Sequence, residues 1–371
     1  MTSAHKLAED ILKKADIEIG GTRPGDVVVH DDSVYTRVLA GGTLALGESY
    51  MDGDWDANEL DTFVSKVMRA RLDKELKPSF GLLLTYLWAR LFNQQTKTGS
   101  KRVALEHYDL GNDLYEAMLG PTMGYTCGYW KDAKTLDEAQ DAKHDLICRK
   151  IGLKKGDRVL DIGCGWGSFL KFAAEKYGAE GVGVTISKEQ AEYAREFCKG
   201  LPVEIRIQDY RDVSEQFDHI ISIGMFEHVG VKNYRTYFEV ANRCLKKDGF
   251  FLLHTIGQNE SHVYGDPWLS KYIFPNSVLP SPKFVATALE DLFVMEDWHN
   301  FGPYYDKTLM AWFENFDKAW PALKGKYDER FYRMWKYYLL MCAGLFRARS
   351  TQLWQIVLSK NGVPGGYTSV R

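Results

Sequence analysis

The chain has 371 residues, 13% of them aromatic, and a formal net charge of −3. That length calls for one large domain or two, and the near-neutral balance excludes a globally basic polyanion binder, so any contact with anionic lipid has to come from a local patch and no nucleic-acid partner is expected. Six cysteines, none in a C-x-x-C pair and none in a His/Cys cluster with zinc spacing, point to free thiols in a reducing cytoplasm and to no metal site.

The first segment, AHKLAEDILKKADI, has helical spacing at Leu7, Ile11 and Leu12 and alternates charge with apolar residues, which is not the pattern of a secretory leader. Strand-like pieces separated by turn formers follow in DVVVHDD and YTRVLAGGTLALGESYMDGDW, and residues 59–76 read as helix. The most apolar stretch, SFGLLLTYLWARLF at 79–92, is too short and too interrupted to span a bilayer, which takes about 20 residues. With Trp88 in it and Lys77, Arg90, Lys97, Lys101 and Arg102 around it, it suits either an interfacial helix or a helix packed between domains. A polar run then places a domain boundary near residue 100, giving an N-terminal domain and linker over 1–100 and a catalytic domain over 101–371.

From residue 157 the pattern becomes an alternation. Strands are expected in DRVLDIG, AEGVGVTIS, VEIRIQDY, FDHIISIGMF and FFLLHTIG, with helices in GSFLKFAAEKYG, KEQAEYAREFCKG and KNYRTYFEVANRCLKKDG between them. Apolar strands separated by helices describe an α/β fold whose parallel sheet is covered on both faces. A helix in PSPKFVATALEDL, a strand in FVMEDWHNF and a late strand in QLWQIVLSK complete it, and residues 307–350 read as inserted aromatic-rich helices.

The stretch VLDIGCGWG places Gly163, Gly165 and Gly167 after the first strand of this sheet, at the end where ligands bind. The spacing is not the G-x-G-x-x-G of a dinucleotide pyrophosphate site, and Asp161 would repel phosphate. A carboxylate there suits the cationic amino-acid end of S-adenosyl-L-methionine. Where many methyltransferases close the second strand with an acidic residue for the ribose, this chain has Thr185, with Ser187 and Gln190 nearby.

HYDLGNDLYEAML, YTCGYWKDA, VLDIGCGWGSF, VGVTISKEQ, QDYRDV, GMFEHVG, FLLHTIG, KYIFPN, EDWHNFG and TLMAWFENF together resemble the cyclopropane-fatty-acyl-phospholipid synthases, with mycolic acid cyclopropane synthases sharing many of the elements. The resemblance runs over nearly the whole chain, including LGESYMDGDW. It implies a class I, Rossmann-like methyltransferase with a seven-stranded sheet and inserted helices, plus a smaller N-terminal α+β lipid-associated domain. It implies methyl transfer to a cis double bond of a phospholipid acyl chain, a carbocation, loss of one proton from the new methyl and ring closure. It also implies a bound bicarbonate as proton acceptor, held by Cys127, Glu227, His254, the Ile256 backbone N–H and Tyr305. Cofactor residues by the same resemblance are Tyr125, Thr126, Asp161, Gly163, Gly165, Thr185 and Gln190, with adenine met by Asp209 or its neighbours Gln208 and Tyr210. The resemblance implies work at the inner face of the cytoplasmic membrane, with membrane lipid and the membrane surface as partners, and a homodimer is expected.

The chemistry agrees with these residue types. An alkene is a poor nucleophile, so the enzyme must align it and keep a cation from water. Aromatic faces stabilise positive charge without attacking it, a use for Tyr125, Tyr129, Trp130 and Phe226, although each taken alone is as readily a core residue. His228, next to Glu227, is expected to point away if the strand continues. Two other readings remain: a methyltransferase for a small amine or hydroxyl, and a non-catalytic lipid-binding relative.

Overall fold

The computed structural model describes residues 3–74 and 111–371, and these divide into two compact units. The apolar stretch at 79–92, its flanking cations and the boundary expected near residue 100 lie outside the described residues. The first unit opens with α1 (Ser3–Lys13), β1 (Val27–Val29), α2 (Ser33–Asp52), β2 (Trp55–Ala57) and α3 (Leu60–Arg69). The second begins with α4 (Asn112–Leu119), α5 (Leu136–Lys150), β3 (Arg158–Ile162), α6 (Ser168–Tyr177), β4 (Glu180–Thr185), α7 (Lys188–Phe197), β5 (Val203–Ile207), β6 (His219–Ile223), α8 (Tyr234–Cys244) and β7 (Phe250–Gln258). The chain then alternates. α9 (Pro267–Tyr272) belongs to the first unit, α10 (Pro282–Leu289) and β8 (Val294–Asn300) to the second, nearly all of α11 (Pro303–Leu323) and α12 (Glu329–Arg347) to the first, and β9 (Thr351–Ser359) almost wholly to the second.

This grouping corrects the two-piece division of the sequence, because 264–275 and 305–351 cluster with the N-terminal part. The cause is packing within that unit. α12 buries Met334, Trp335, Tyr337, Tyr338 and Leu339, and it crosses α3 so closely that a Cβ on Gly344 would stand 2.7 Å from Val64 Cβ. α12 therefore serves as a core helix of its unit. Arg333 fastens it, donating to the carbonyls of Tyr50 and Trp55 and to Asp56. β1 and β2 pair antiparallel.

Most of the segment read as strand-like pieces at 35–55 is instead the long helix α2, broken at Gly42, whose φ of 59° and ψ of −141° are not helical, and only its last residue, Trp55, enters a strand, β2. Leu, Ala, Glu and Met favour helix, and the glycine pair interrupts that helix where a turn between strands was expected.

The second unit holds a seven-stranded sheet in the order β5-β4-β3-β6-β7-β9-β8. β3 runs parallel to β4 and β6, β4 to β5 and β6 to β7, and β8 is antiparallel to β9. Leu160, Ile220 and Phe251 enter one core, while Val159, Ile221 and Leu252 enter the other. With both faces covered, the strands read as continuous apolar runs. The chain leaves β3 toward β4 and β5, then returns to its other side as β6 and β7, so the crevice of this fold lies at the carboxyl ends of β3 and β6. β6 stops at Ile223 and Phe226–His228 form one turn of 3-10 helix, so strand alternation does not govern His228. No helix among the described residues is long and apolar enough to cross a membrane.

Candidate active site

The glycine loop follows β3, and its three glycines have φ of 83°, 54° and 87°. They serve different ends. A Cβ on Gly163 would lie 2.6 Å from Met225 Cγ, and one on Gly167 3.1 Å from Cys198 Sγ, so both are demanded by packing. A Cβ on Gly165 would meet nothing within 4 Å. That glycine borders open space. The loop is tied down by the N–H groups of Gly163 and Cys164, which both donate to the Val184 carbonyl at the end of β4.

Three polar side chains gather where β3 and β6 end: Asp161 near the end of β3, Glu227 in the turn just past β6, and His254 midway along β7, level with the last residue of β6. Asp161 is 2% exposed, and its Oδ1 has no hydrogen-bond partner. Burial pushes its carboxyl up to about 8, against the lowering effect of Lys143. Glu227 follows β6; its Oε1 accepts the Ile256 N–H at 2.6 Å, while Oε2 is buried without a partner. Burial pushes this carboxyl up to about 7, partly offset by backbone donors. His254 on β7 has an unpartnered Nε2, and its Nδ1 lies 3.3 Å from the Gln355 amide nitrogen. With that nitrogen donating to Nδ1, the ring proton sits on Nε2. Burial, then the charges of Lys143 and Lys150, hold this imidazole well below its ordinary pKa and hence neutral.

Cys127 is fully buried, with its thiol 3.3 Å from the Gly128 carbonyl. Its segment is fixed from two sides. A Cβ on Gly224, just past β6, would meet Thr126 Cγ2 at 2.6 Å, and Gln140 on α5 donates to the carbonyls of Gly124 and Thr126. α5 starts with a complete capping box between Thr135 and Glu138, which sets the helix that carries these donors. Tyr125 packs edge-on against Tyr115, 5.4 Å between centroids.

The remaining expected residues are placed as follows. Thr185 donates to Gln190 Oε1 at 3.1 Å and accepts the Ser187 N–H, so the two ribose candidates engage each other at the end of β4. Asp209 is forked by Arg211 at 2.8 and 2.6 Å, and Tyr210 is drawn into the core against Tyr237. The Ile256 N–H, expected to face an ion, is donated to Glu227. Phe226 stacks on Tyr234 at 4.1 Å inside the core, whereas Tyr129 meets His299, Phe301 and Tyr304 edge-on. Phe301 in turn lies 6.0 Å from the His254 ring. Tyr305 belongs to the first unit, stacked on Phe346 at 4.5 Å.

Sequence reasoning missed Gln355, Gln140 and Lys143. Lys143 is 1% exposed, its Nζ 2.8 Å from Thr126 Oγ1 and 2.6 Å from Gln140 Oε1. The available signal was helical phase, since Lys143 falls four residues after Ala139 and four before Ile147, on the buried side of α5.

Residues 94–356 match the family model described as mycolic acid cyclopropane synthetase. The chain is 54% identical over 367 residues to the cyclopropane-fatty-acyl-phospholipid synthase of Escherichia coli strain K12, covering 99% of this chain and 96% of that one. A sphingolipid C9-methyltransferase from Emericella nidulans is 37% identical over 273 residues, 69% of this chain and 53% of its own length. Among solved structures, mycolic acid cyclopropane synthase CmaA1 complexed with SAH and CTAB is 34% identical, with a TM-score of 0.64 over 70% of this chain and 98% of that one. Coclaurine N-methyltransferase, at 22% identity and a TM-score of 0.66, shares the fold. The sheet order, the glycine loop and a likeness that spans almost the whole length agree: the chain is an S-adenosylmethionine-dependent methyltransferase and belongs to the cyclopropane-fatty-acyl-phospholipid synthase family.

Proposed function

We propose that the protein adds a methylene, taken from the methyl of S-adenosylmethionine, across the cis double bond of an unsaturated phospholipid acyl chain, and that a bound bicarbonate accepts the proton lost before the ring closes. The observation that carries this reading is the set of buried, unpartnered polar atoms gathered where β3 and β6 end: Asp161 Oδ1, Glu227 Oε2 and, on the neighbouring β7, His254 Nε2. Unsatisfied buried polar groups are costly, so three together call for ligands.

The residues fit the methyl donor. Gly165 borders free space and Asp161 offers an uncommitted oxygen to a cationic amino-acid end. When bound, S-adenosylmethionine supplies an electrophilic methyl. The chain's own part is to exclude water and to receive a proton. His254, neutral with its proton on Nε2, donates to a small anion. Burial raises the Glu227 carboxyl to about 7, so roughly half of it is protonated at neutrality and its repulsion of a second anion is weakened. Cys127 completes the proposed holder within the second unit; Tyr305, in the first unit, is assigned to the ion by the family resemblance alone. Ile256 takes part only when Glu227 releases its N–H. Tyr125, Thr126, Thr185, Gln190 and Asp209 are assigned to the cofactor in the same reading. So are a lipid-associated role for the N-terminal part, peripheral contact with the inner face of the cytoplasmic membrane and a homodimer.

Incubation with S-adenosylmethionine and vesicles of cis-monounsaturated phospholipid tests this. The acyl chains should gain one carbon and two hydrogens and lose their reactivity as alkenes. Unaltered lipid, with methylation of an added amine in its place, would overturn the reading. Gly165→Ala probes the donor site separately. A non-glycine residue at positive φ costs about 1–2 kcal/mol of stability, while the new methyl intrudes on the free space. Calorimetric titration should show S-adenosylmethionine affinity down by at least about tenfold, equivalent to about 1.4 kcal/mol. Unchanged affinity would place the donor elsewhere.

A further inference from the structure

Gln355 is a buried amide that the proposed chemistry does not use. It sits in the middle of β9, which lies between β7 and β8 in the sheet, and it is 0% exposed. Its neighbours Leu353, Trp354, Ile356, Val357 and Leu358 are all buried and apolar. An apolar side chain would fill this position at less cost, because a buried amide has to be hydrogen-bonded. This one is satisfied at one end only. Its nitrogen lies 3.3 Å from His254 Nδ1, while its Oε1 has no partner. The amide is therefore directed at the imidazole.

The sheet explains how the two meet. Side chains alternate between the faces of a strand. On β7, Leu252 enters the core that also takes Ile147 and Cys148 of α5, and His254, two residues on, shares that face. On β9, Val357 enters the same core, and Gln355, two residues before it, shares that face as well. β7 and β9 are neighbours, so ring and amide lie side by side.

A neutral imidazole carries one proton on either of two nitrogens, and the partner of one nitrogen decides the role of the other. An amide N–H on Nδ1 makes that nitrogen the acceptor and puts the proton on Nε2. A carboxylate oxygen in its place would accept a proton from Nδ1 and leave a lone pair on Nε2, which repels an anion. Lys143, His144 and Lys150 of α5 also face the ring, and burial together with the two lysines keeps it from taking a second proton. We propose that Gln355 is a positioning residue that locks His254 in the Nε2–H tautomer, making it a donor to the bound anion and not a rival base for the proton lost from the new methyl. The inference rests on the reading of His254 as part of the bicarbonate holder.

The experiment has two arms, both on the whole protein. The first reads the ring without turnover, by nitrogen-15 NMR of histidine-labelled protein, with the His254 signals identified by their loss in His254→Ala. The wild-type ring should carry its proton on Nε2 and use Nδ1 as a hydrogen-bonded acceptor, and the Nδ1 resonance should shift in Gln355→Met. A proton on Nδ1 in the wild type, or an Nδ1 resonance unmoved by the substitution, would overturn the lock. The second arm is turnover on unsaturated phospholipid vesicles in buffer freed of carbon dioxide and supplied with bicarbonate. Gln355→Met should raise the half-saturating bicarbonate concentration by about tenfold or more, the scale of a hydrogen bond to a charged group. Added bicarbonate should restore its turnover, and S-adenosylmethionine affinity should stay within a few-fold. Turnover lost equally at every bicarbonate concentration would reduce Gln355 to packing and overturn the positioning role. Wild-type turnover indifferent to bicarbonate would instead overturn the reading of the anion, while the tautomer is decided by the first arm alone. Circular dichroism reports folding; where the Met variant does not fold, Gln355→Leu, which also lacks the donor, gives the same comparison.

Discussion

Glu227→Gln and His254→Ala are expected to lower turnover by about 10²–10⁴-fold, the range for removing a group that handles a proton. S-adenosylmethionine affinity should stay within a few-fold. Both side chains are buried with one polar atom uncommitted, and neither is assigned to the donor. Loss of kcat with unchanged donor affinity is the signature of groups used after binding. Collapse of donor affinity in either variant would contradict this division of labour.

Glu227→Gln has a second consequence, in stability. The carboxyl is raised from 4.5 to about 7 by burial. Between those values the folded state binds more protons than the unfolded one, so the contribution of this group is fully favourable below about 4.5 and is lost as pH rises to about 7. Gln keeps an acceptor for the Ile256 N–H and carries no charge. The variant should therefore gain up to about 3 kcal/mol over the native protein at pH 8 and nothing near pH 4. Denaturant unfolding at the two pH values measures the difference.

Trp268→Ala is expected to destabilise the first unit by about 3–5 kcal/mol, the cost of removing a large buried aromatic side chain. Trp268 is 0% exposed. Its ring lies edge-on to Tyr337 at 4.7 Å, its indole N–H reaches Met51 Sδ at 3.4 Å, and a Cβ on Gly47 would overlap it. One side chain thus joins α9 to α2 and α12. Denaturant unfolding followed by tyrosine and tryptophan fluorescence should show an earlier transition. A loss below about 1 kcal/mol would mean that the cavity closes at little cost.

What could be read from the residues depended on whether local pattern carried the information. The inner strands β3, β4, β6, β7 and β9 announce themselves because burial on both faces makes them largely apolar runs, whereas the edge strands β5 and β8 mix charged with apolar residues, and the intervening helices keep a 3.6-residue period. The helix α2 does not, since Gly41–Gly42 looks like a turn and only tertiary packing shows that it is a break within a helix. Periodicity also says which face of a helix is buried but not in which body, so the grouping of α9, α11 and α12 with the N-terminal part was not legible. At the site, Asp161 and His254 stand out as polar residues inside apolar strands. Lys143 did not, because lysine in a helix reads as solvent-facing unless its phase is followed. Asp209 drew notice as a carboxylate after a strand, yet its nearest business is Arg211, two residues on.

The central claim is that the site attaches carbon to an alkene and then removes a proton from that same carbon. Unlabelled donor cannot test the second half, because a cyclopropane and a methyl-branched alkene have equal mass. Donor bearing a fully deuterated methyl can. The account predicts acyl chains that gain one carbon and two deuteriums, with the third deuterium lost to solvent. Chains that keep all three deuteriums and lose one of their own hydrogens would contradict it.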